Sequence, residues 1–370
     1  MVISGTNSGC FCRDFGSVVL SDVTGKISVS YLLYLPDNTQ ASITEYYTPD
    51  NNGDVHINDL GTLILSYFSS MPINLSAACV YDLSILMEAQ IFDESGERLN
   101  GFSQRFYYSN CHTSISVPYK YRGFLSRHRR RKILPNQAHF IGFFQRAQQL
   151  GIGVSYRSGT ESKWSEFVQD VADTGYLYYR NLSLDTVVSL LQSNTDIIVS
   201  PEDVFYFIVY LKADNQVVDA MQLDIDRTHY PAVSHFVYRN CFGVPDTLQF
   251  VGKDNRTSEM EATYVNIQRQ YRKINTKYNV YHDINSGYIN DTLRDCVEDL
   301  VNSDVFLYDN TTLGERVTIT ETAFDESRPR TEPINVRLKY RLARECQRTI
   351  DRDMTLDYRI FDHTFGDTFE

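Results

Sequence analysis

Over the first hundred residues, apolar and polar positions mostly alternate in short runs, the period of strands. Residues 26–35 set Ile27, Val29, Tyr31 and Leu33 against Ser28, Ser30 and Leu32, which predicts a strand with one face better buried than the other. Residues 43–48 read as a second strand, closed by the turn Pro49-Asp50-Asn51-Asn52-Gly53. The period then changes: Leu60, Leu63, Ile64, Tyr67 and Phe68 form one stripe of a helix capped by Asn58 or Asp59. Residues 77–92 are a long apolar strand region, and 93–98 turn the chain back to a strand at 102–108. This order predicts a β-sandwich with one helix over 22–125, preceded by a small, polar segment at 1–21 that reads as an arm or a loosely attached first strand.

Further along, the pattern predicts strands at 140–144, 151–156 and 176–179, a short helix at 184–191, and a hairpin of 204–211 with 217–225 across a five-residue connection. These make a β-rich middle domain at 137–230, with Trp164 as a core anchor. At 235–253 alternating residues flank an Asn-Cys-Phe-Gly-Val-Pro-Asp centre, so Asn240, Phe242, Gly243, Pro245 and Asp246 mark a bend between two strands. A tyrosine-rich polar strand pair follows at 263–281. Tyr288, Ile289, Leu293, Val297, Leu300 and Val301 then predict a helix of about four turns. Strands at 305–308 and 336–342 complete a β-rich C-terminal module at 231–345. The fold class is mainly β with a few short helices, α+β overall.

Composition agrees, because 26 Tyr and 21 Phe favour strands. Charge adds something the period does not. The net charge is −12, yet residues 98–160 contain no Asp or Glu and carry +11, leaving −23 for the rest. The densest run, Arg127, Arg129, Arg130, Arg131 and Lys132, lies in a segment, 126–136, that reads as a basic linker or loop. It is expected to meet the acidic face of a neighbouring copy. Nucleic acid is the lesser expectation, since neither interleaved aromatics nor a basic helix face accompany the run. The last segment, 346–370, mixes acids with aromatics, Asp357, Phe361 and Phe365 among them, and is expected to dock as an arm on a neighbour.

Candidate chemistry is thin. Seven scattered cysteines do not suggest a disulfide framework, and Cys10 and Cys12 lack a second ligand pair at zinc spacing. Asp50, Asn52 and Asp54 have the rhythm of a calcium loop, but Val55 and Gly61 stand where such a loop wants Gly and Glu, so a hairpin turn is expected. No nucleophile elbow, phosphate loop, zinc-protease helix or dinucleotide fingerprint occurs, and Gly151-Ile152-Gly153 is too short to be one. The eight histidines are dispersed. Neither enzyme activity, catalytic residues, metal nor cofactor is therefore expected. Residues 1–16 lack the features of a secretory signal, and the longest apolar run, 204–211, is too short to span a bilayer, so folding in a host cytoplasm without a membrane partner is expected.

Two stretches carry a resemblance. The pattern F-x-Y-x-N-x-F-G-V-P-D-T-x-x-F-x-G from Phe236, the helix with its apolar-x-Asp-Leu-x-x-Ser step, the short strand and V-x-I-T at Val317–Thr320 resemble a C-terminal module of tail-associated structural proteins of phages and prophages of gut Bacteroidetes. It covers about 231–343. EYYTPDNNGDVHINDLGTLILSYF at 45–68 is similar to the N-terminal part of the same proteins. The resemblance implies a virion structural protein, a tail or baseplate component forming a ring or hub with its own copies and other tail proteins. The alternatives are a carbohydrate-binding or adhesion β-sandwich, for which tyrosines would supply stacking platforms, and a tail-borne hydrolase.

Overall fold

The computed structural model describes residues 1–344 apart from 8, 69–72, 74, 76–77, 82–83, 116, 147, 268–269, 290, 310–312 and 325–333. Cys346 and the acidic-aromatic segment with Asp357, Phe361 and Phe365 lie outside the described residues. The fold is β-rich, with three α-helices among the described residues: α1 (Leu60–Phe68), α2 (Leu184–Asn194) and α3 (Asp291–Val301).

The first unit is a sandwich. One sheet orders the strands Cys10–Phe11, Arg98–Tyr107, Ser84–Phe92, Ile27–Tyr34 and Gln40–Tyr47; the other orders Val2–Ser4, Val18–Ser21 and Val55–Ile57. Ile27, Val29, Tyr31 and Leu33 point inward, as the alternation requires, and meet Leu60, Ile64 and Phe68 of α1. The expected N-terminal arm is corrected: Cys10, Phe11, Cys12, Val18 and Leu20 are buried, because three short strands of this segment enter the two sheets, Val2–Ser4 beside Val18–Ser21 in one and Cys10–Phe11 beside Arg98–Tyr107 in the other. Burial pushes the Cys10 thiol up to about 12 and the Cys12 thiol higher still, and both pack in the apolar core of this unit.

In the second unit a five-stranded sheet runs Arg130–Ile133, Gln216–Ile225, Val204–Ala213, Gln149–Ser158, Glu161–Asp170. A three-stranded sheet of Phe140–Phe144, Leu177–Asn181 and Ala78–Tyr81 packs with α2 over its inner face. The Ser183 side chain caps α2 by accepting from the Thr186 N–H. The hairpin connection is shorter than expected. Asp214 (φ 53°) and Asn215 (φ 62°) alone make the turn, in the left-handed pair that suits the twist of a two-residue hairpin. Segment 126–136 is not a linker: Arg130–Ile133 pairs in parallel with Gln216–Ile225, and a tight turn leads straight into Phe140–Phe144.

The third unit is a seven-stranded sheet in the order Pro245–Phe250, Ser234–Arg239, Val305–Tyr308, Leu313–Phe324, Ile334–Leu342, Gln270–Ile289, Asp254–Ile267, with α3 on one face. The helix is shorter than expected, because Tyr288 and Ile289 end the preceding strand. A fourth apolar cluster joins the units: Phe11 and Tyr107 from the first, Phe140, Phe144 and Leu177 from the second, Val237, Val244 and Tyr308 from the third.

Candidate functional site

The basic run is folded onto the chain's own carboxylates. In the strand Arg130–Ile133 period two turns Arg131 and Ile133 inward and leaves Arg130 and Lys132 exposed. Arg130 Nε lies 2.8 Å from Asp224 Oδ2, Arg129 Nε 2.8 Å from Asp219 Oδ1, and Asp219 and Asp224 both belong to the neighbouring strand. Arg127 reaches three acids of α3, the nearest being Asp299 at 3.2 Å. The expected meeting of this run with an acidic neighbour is corrected for Arg131, which is 3% exposed and bonded to Asp246 at 3.0 Å. In the ladder Arg130 stands opposite Gln222 and Lys132 opposite Asp224, so Arg130 reaches two residues along the neighbouring strand for its carboxylate. Lys132 borders a small cleft.

Arg131 organises a buried polar junction between the second and third units. Its Nη2 donates to Thr247 Oγ1 at 3.3 Å and to His139 Nδ1, which fixes His139 as the neutral tautomer protonated on Nε2, beside Met221 Sδ at 3.2 Å. Thr247 passes the chain on to Ala138 O at 2.6 Å and accepts from Gln137. His128 Nδ1 stands 3.0 Å from Ser126 Oγ and 3.4 Å from Cys296 Sγ. Burial, and then Arg131, hold both imidazoles well below their ordinary range. His128, Asp246 and Cys296 bring potential metal-ligating atoms within 4.8 Å of one another. They suit an ion less well than a strut: the Arg131 guanidinium already neutralises Asp246, and burial pushes the Cys296 thiol up to about 12.

The bend at 240–246 pins this junction. Asn240 Oδ1 accepts the N–H of Phe242 and Val244, while its Nδ2 donates to Leu125 O at 2.9 Å. Phe242 packs on Phe11, ring centroids 5.7 Å apart. Gly243 (φ 81°) passes so close to Tyr108 that a Cβ would sit 2.9 Å from the ring. Pro245 opens the next strand and Asp246 takes Arg131. The motif residues read as a turn thus touch all three units.

Beside the junction is a cleft of about 290 Å³ between Ile133, Leu134, Tyr230, Leu293 and Val297. Its hydroxyls are engaged: Tyr230 donates to Asp226 at 2.9 Å, Thr247 to Ala138 O, and Ser286 to Gly287 O at 2.7 Å. No nucleophile is paired with a base there among the described residues. At the Asp50 turn, Asp50, Asp54 and His56 also approach one another, but Asp50 Oδ1 is committed to the N–H groups of Asn52 and Asp54, as a turn requires.

The largest unpartnered feature is a β-ribbon arm. Asp254–Ile267 pairs antiparallel with Gln270–Ile289 from Asp254↔Ile284 out to Ile267↔Gln270. The second of these strands has another neighbour, Ile334–Leu342, only from His282 inward. Beyond His282 the ribbon runs about 35 Å with two strands and no third layer. Met260, Tyr264, Val265, Tyr271 and Tyr278 stand exposed on it, Tyr271 by 79%. From Ala262 to His282 the sequence has no acid and four basic residues, Arg269, Arg272, Lys273 and Lys277. Sequence reasoning found the strand pair but not its projection; the signal was the loss of any buried face, with tyrosines among polar residues on both strands.

No family model and no curated protein matches the chain. Among solved structures, "calcium binding domain CBD12 of CALX1.1" aligns at 9% identity over 55% of this chain and 74% of that one, with a TM-score of 0.17. The "tetra-tandem repeat in extending region of large adhesion protein" aligns at 11% identity over 91% and 88%, with a TM-score of 0.18. Likenesses at that level carry no argument about this chain.

Proposed function

We propose that the protein is a non-enzymatic structural component of a phage tail or baseplate that assembles with its own copies and with other tail proteins. The observation that carries this reading is the arm, a basic, tyrosine-bearing ribbon bare on both faces and projecting from a body whose three units share one core. An isolated two-stranded ribbon is marginal in water, and exposed apolar side chains along it favour burial against another molecule. The motif resemblance supports the same assignment. The body's part is rigidity: with the arginines of residues 127–131 paired within the chain, the arm is left as the contact element, and any ring or hub forms through it.

Light scattering at low and moderate salt tests this. The intact chain should form a closed oligomer, visible as a ring by negative stain. Tyr264→Ser with Tyr271→Ser should reduce it to the monomer without changing its melting temperature. An oligomer unaltered by those substitutions removes the arm from assembly. A second reading rests on one observation: Trp164 lies 46% exposed beside Tyr206 on an open sheet face, the kind of platform on which a sugar ring stacks. A monomer that binds glycans, and loses them on Trp164→Ala, would establish that reading instead.

A further inference from the structure

Two of the chain's cysteines meet at the seam between the first and third units. Beyond the strand Arg98–Tyr107 the chain runs alongside the bend at 240–246. The Tyr108 ring lies against Gly243; two residues further along one segment and two back along the other, Asn110 N–H donates to Cys241 O at 3.2 Å. Cys111 comes next, and its sulfur accepts a hydrogen bond from the Cys241 thiol. Main-chain contacts thus bring together two sulfurs about 130 residues apart in sequence.

Each segment is also anchored separately. Thr113 N–H and Oγ1 both donate to Asp14, and Arg13 N–H donates to Ser109 Oγ at 3.3 Å. On the other side Cys241 N–H donates to Asp299 Oδ2 at 3.2 Å, and Asp299 is held in turn by Arg127. The two thiols differ in access: Cys111 is half exposed, while Cys241 is fully buried behind it. Cys10, Cys12 and Cys296 are closed off in apolar clusters.

This arrangement gives the pair two different parts. The bond from Cys241 holds the Cys111 thiol below its ordinary range, and the same bond, with burial, pushes Cys241 up. Disulfide exchange needs a thiolate that an oxidant can reach, so Cys111 attacks first and Cys241 resolves.

We propose that Cys111 and Cys241 form a modification site, a dithiol that small-molecule disulfides oxidise to an intrachain disulfide tying the first unit to the third. The Cys111 thiolate attacks one sulfur of the small disulfide, whose S–S bond breaks and releases one small thiolate to take up a proton. Cys241 then loses its proton to solvent and attacks Cys111 Sγ; the mixed S–S bond breaks and the second small thiolate leaves. The protein pair gives up two electrons and two protons, and one small disulfide becomes two small thiols. A bond closing so long a loop restricts the unfolded chain strongly. Neither cysteine lies on the arm, so the inference goes beyond the assembly reading and stands without it.

The test uses the full chain, reduced and then held dilute with glutathione disulfide as the probe. After alkylation, peptide mass analysis should find Cys111 joined to Cys241 in most molecules. Cys241→Ser should stop with glutathione on Cys111, and Cys111→Ser should leave Cys241 reduced. In urea the oxidised chain should unfold at a higher midpoint than the reduced chain, a shift that Cys111→Ser abolishes. The proposal is overturned if both cysteines stay free, if Cys111 of the unsubstituted chain keeps its glutathione, or if Cys111 joins another cysteine of its own chain or of a second copy. Equal midpoints for the oxidised and reduced chains overturn it too. The first measurement needs no substitution, so a variant that fails to fold does not obscure it. None of these readouts depends on particle mass, so the assembly reading fails or survives separately.

Discussion

A guanidinium at 3% exposure is tolerable only with its carboxylate in place, and Arg131 has one partner of that kind, Asp246, at 3.0 Å. Removing either strands the other in the interior. Arg131→Met or Asp246→Asn should each cost about 3–5 kcal/mol in urea unfolding, and Arg131→Met with Asp246→Leu much less than the sum. The adjoining histidines make the same spot sensitive to acid. His128 and His139 are held below the ordinary value of 6.5 by burial and by Arg131, so the unfolded chain takes up protons first as pH falls. Stability is therefore whole above pH 6.5 and declines below it, by at most about 1.4 kcal/mol per pH unit for each histidine. Asp246, raised by burial, works in the opposite direction, because the folded chain then binds a proton early. Urea midpoints at about pH 7.5 and about pH 5.5 should differ less in His128→Gln with His139→Gln than in the parent; equal differences would take these imidazoles out of the acid response. The sequence displayed Arg131 as one cation of a run. Period two alone could have marked it as inward, had the run been read as a strand.

Among the elements, the apolar alternation made Ile27–Tyr34, Val204–Ala213 and the strands around Asn240 legible, since each has one face in a core. Glu161–Asp170 was not, because it is an exposed edge strand whose pattern is set by cross-strand neighbours. Trp164 follows from this. It is not the expected core anchor: it is half exposed and its ring lies over Gly153, where an added Cβ would come within 2.0 Å of it. Gly151 makes the same allowance for Tyr210, so Gly151-Ile152-Gly153 is a seat for two rings. Gly153→Ala should lift the indole into water, with red-shifted emission from the chain's one tryptophan, and cost about 1–3 kcal/mol. In the hairpin turn Asn215→Val should cost about 1–2 kcal/mol for the left-handed φ, and Asn215→Gly almost nothing. Melting temperatures of the two variants check the difference. The arm was legible as a polar strand pair but not as a projection, because only the register shows where its third strand stops.

At the scale of the molecule, the fourth cluster and the bend at 240–246 join the three units, which should therefore melt as one. Phe11 belongs to the first unit and rests on Phe242 of the third, far in sequence from Trp164 in the second. Phe11→Ala should lower stability by about 3–5 kcal/mol and shift the Trp164 emission transition and the far-ultraviolet circular dichroism transition together. Separate transitions would show the units to be independent. The long-range pairing that unites them also sets an order of events at the ribosome. Ala78–Tyr81 completes a sheet whose adjoining strand is Leu177–Asn181, almost a hundred residues later. At about 5–20 residues per second the nascent strand waits roughly 5–20 s for its neighbour. During that interval an unpaired edge is open to chaperones and to other nascent chains, so the yield of native protein should depend on how fast residues 82–181 are translated.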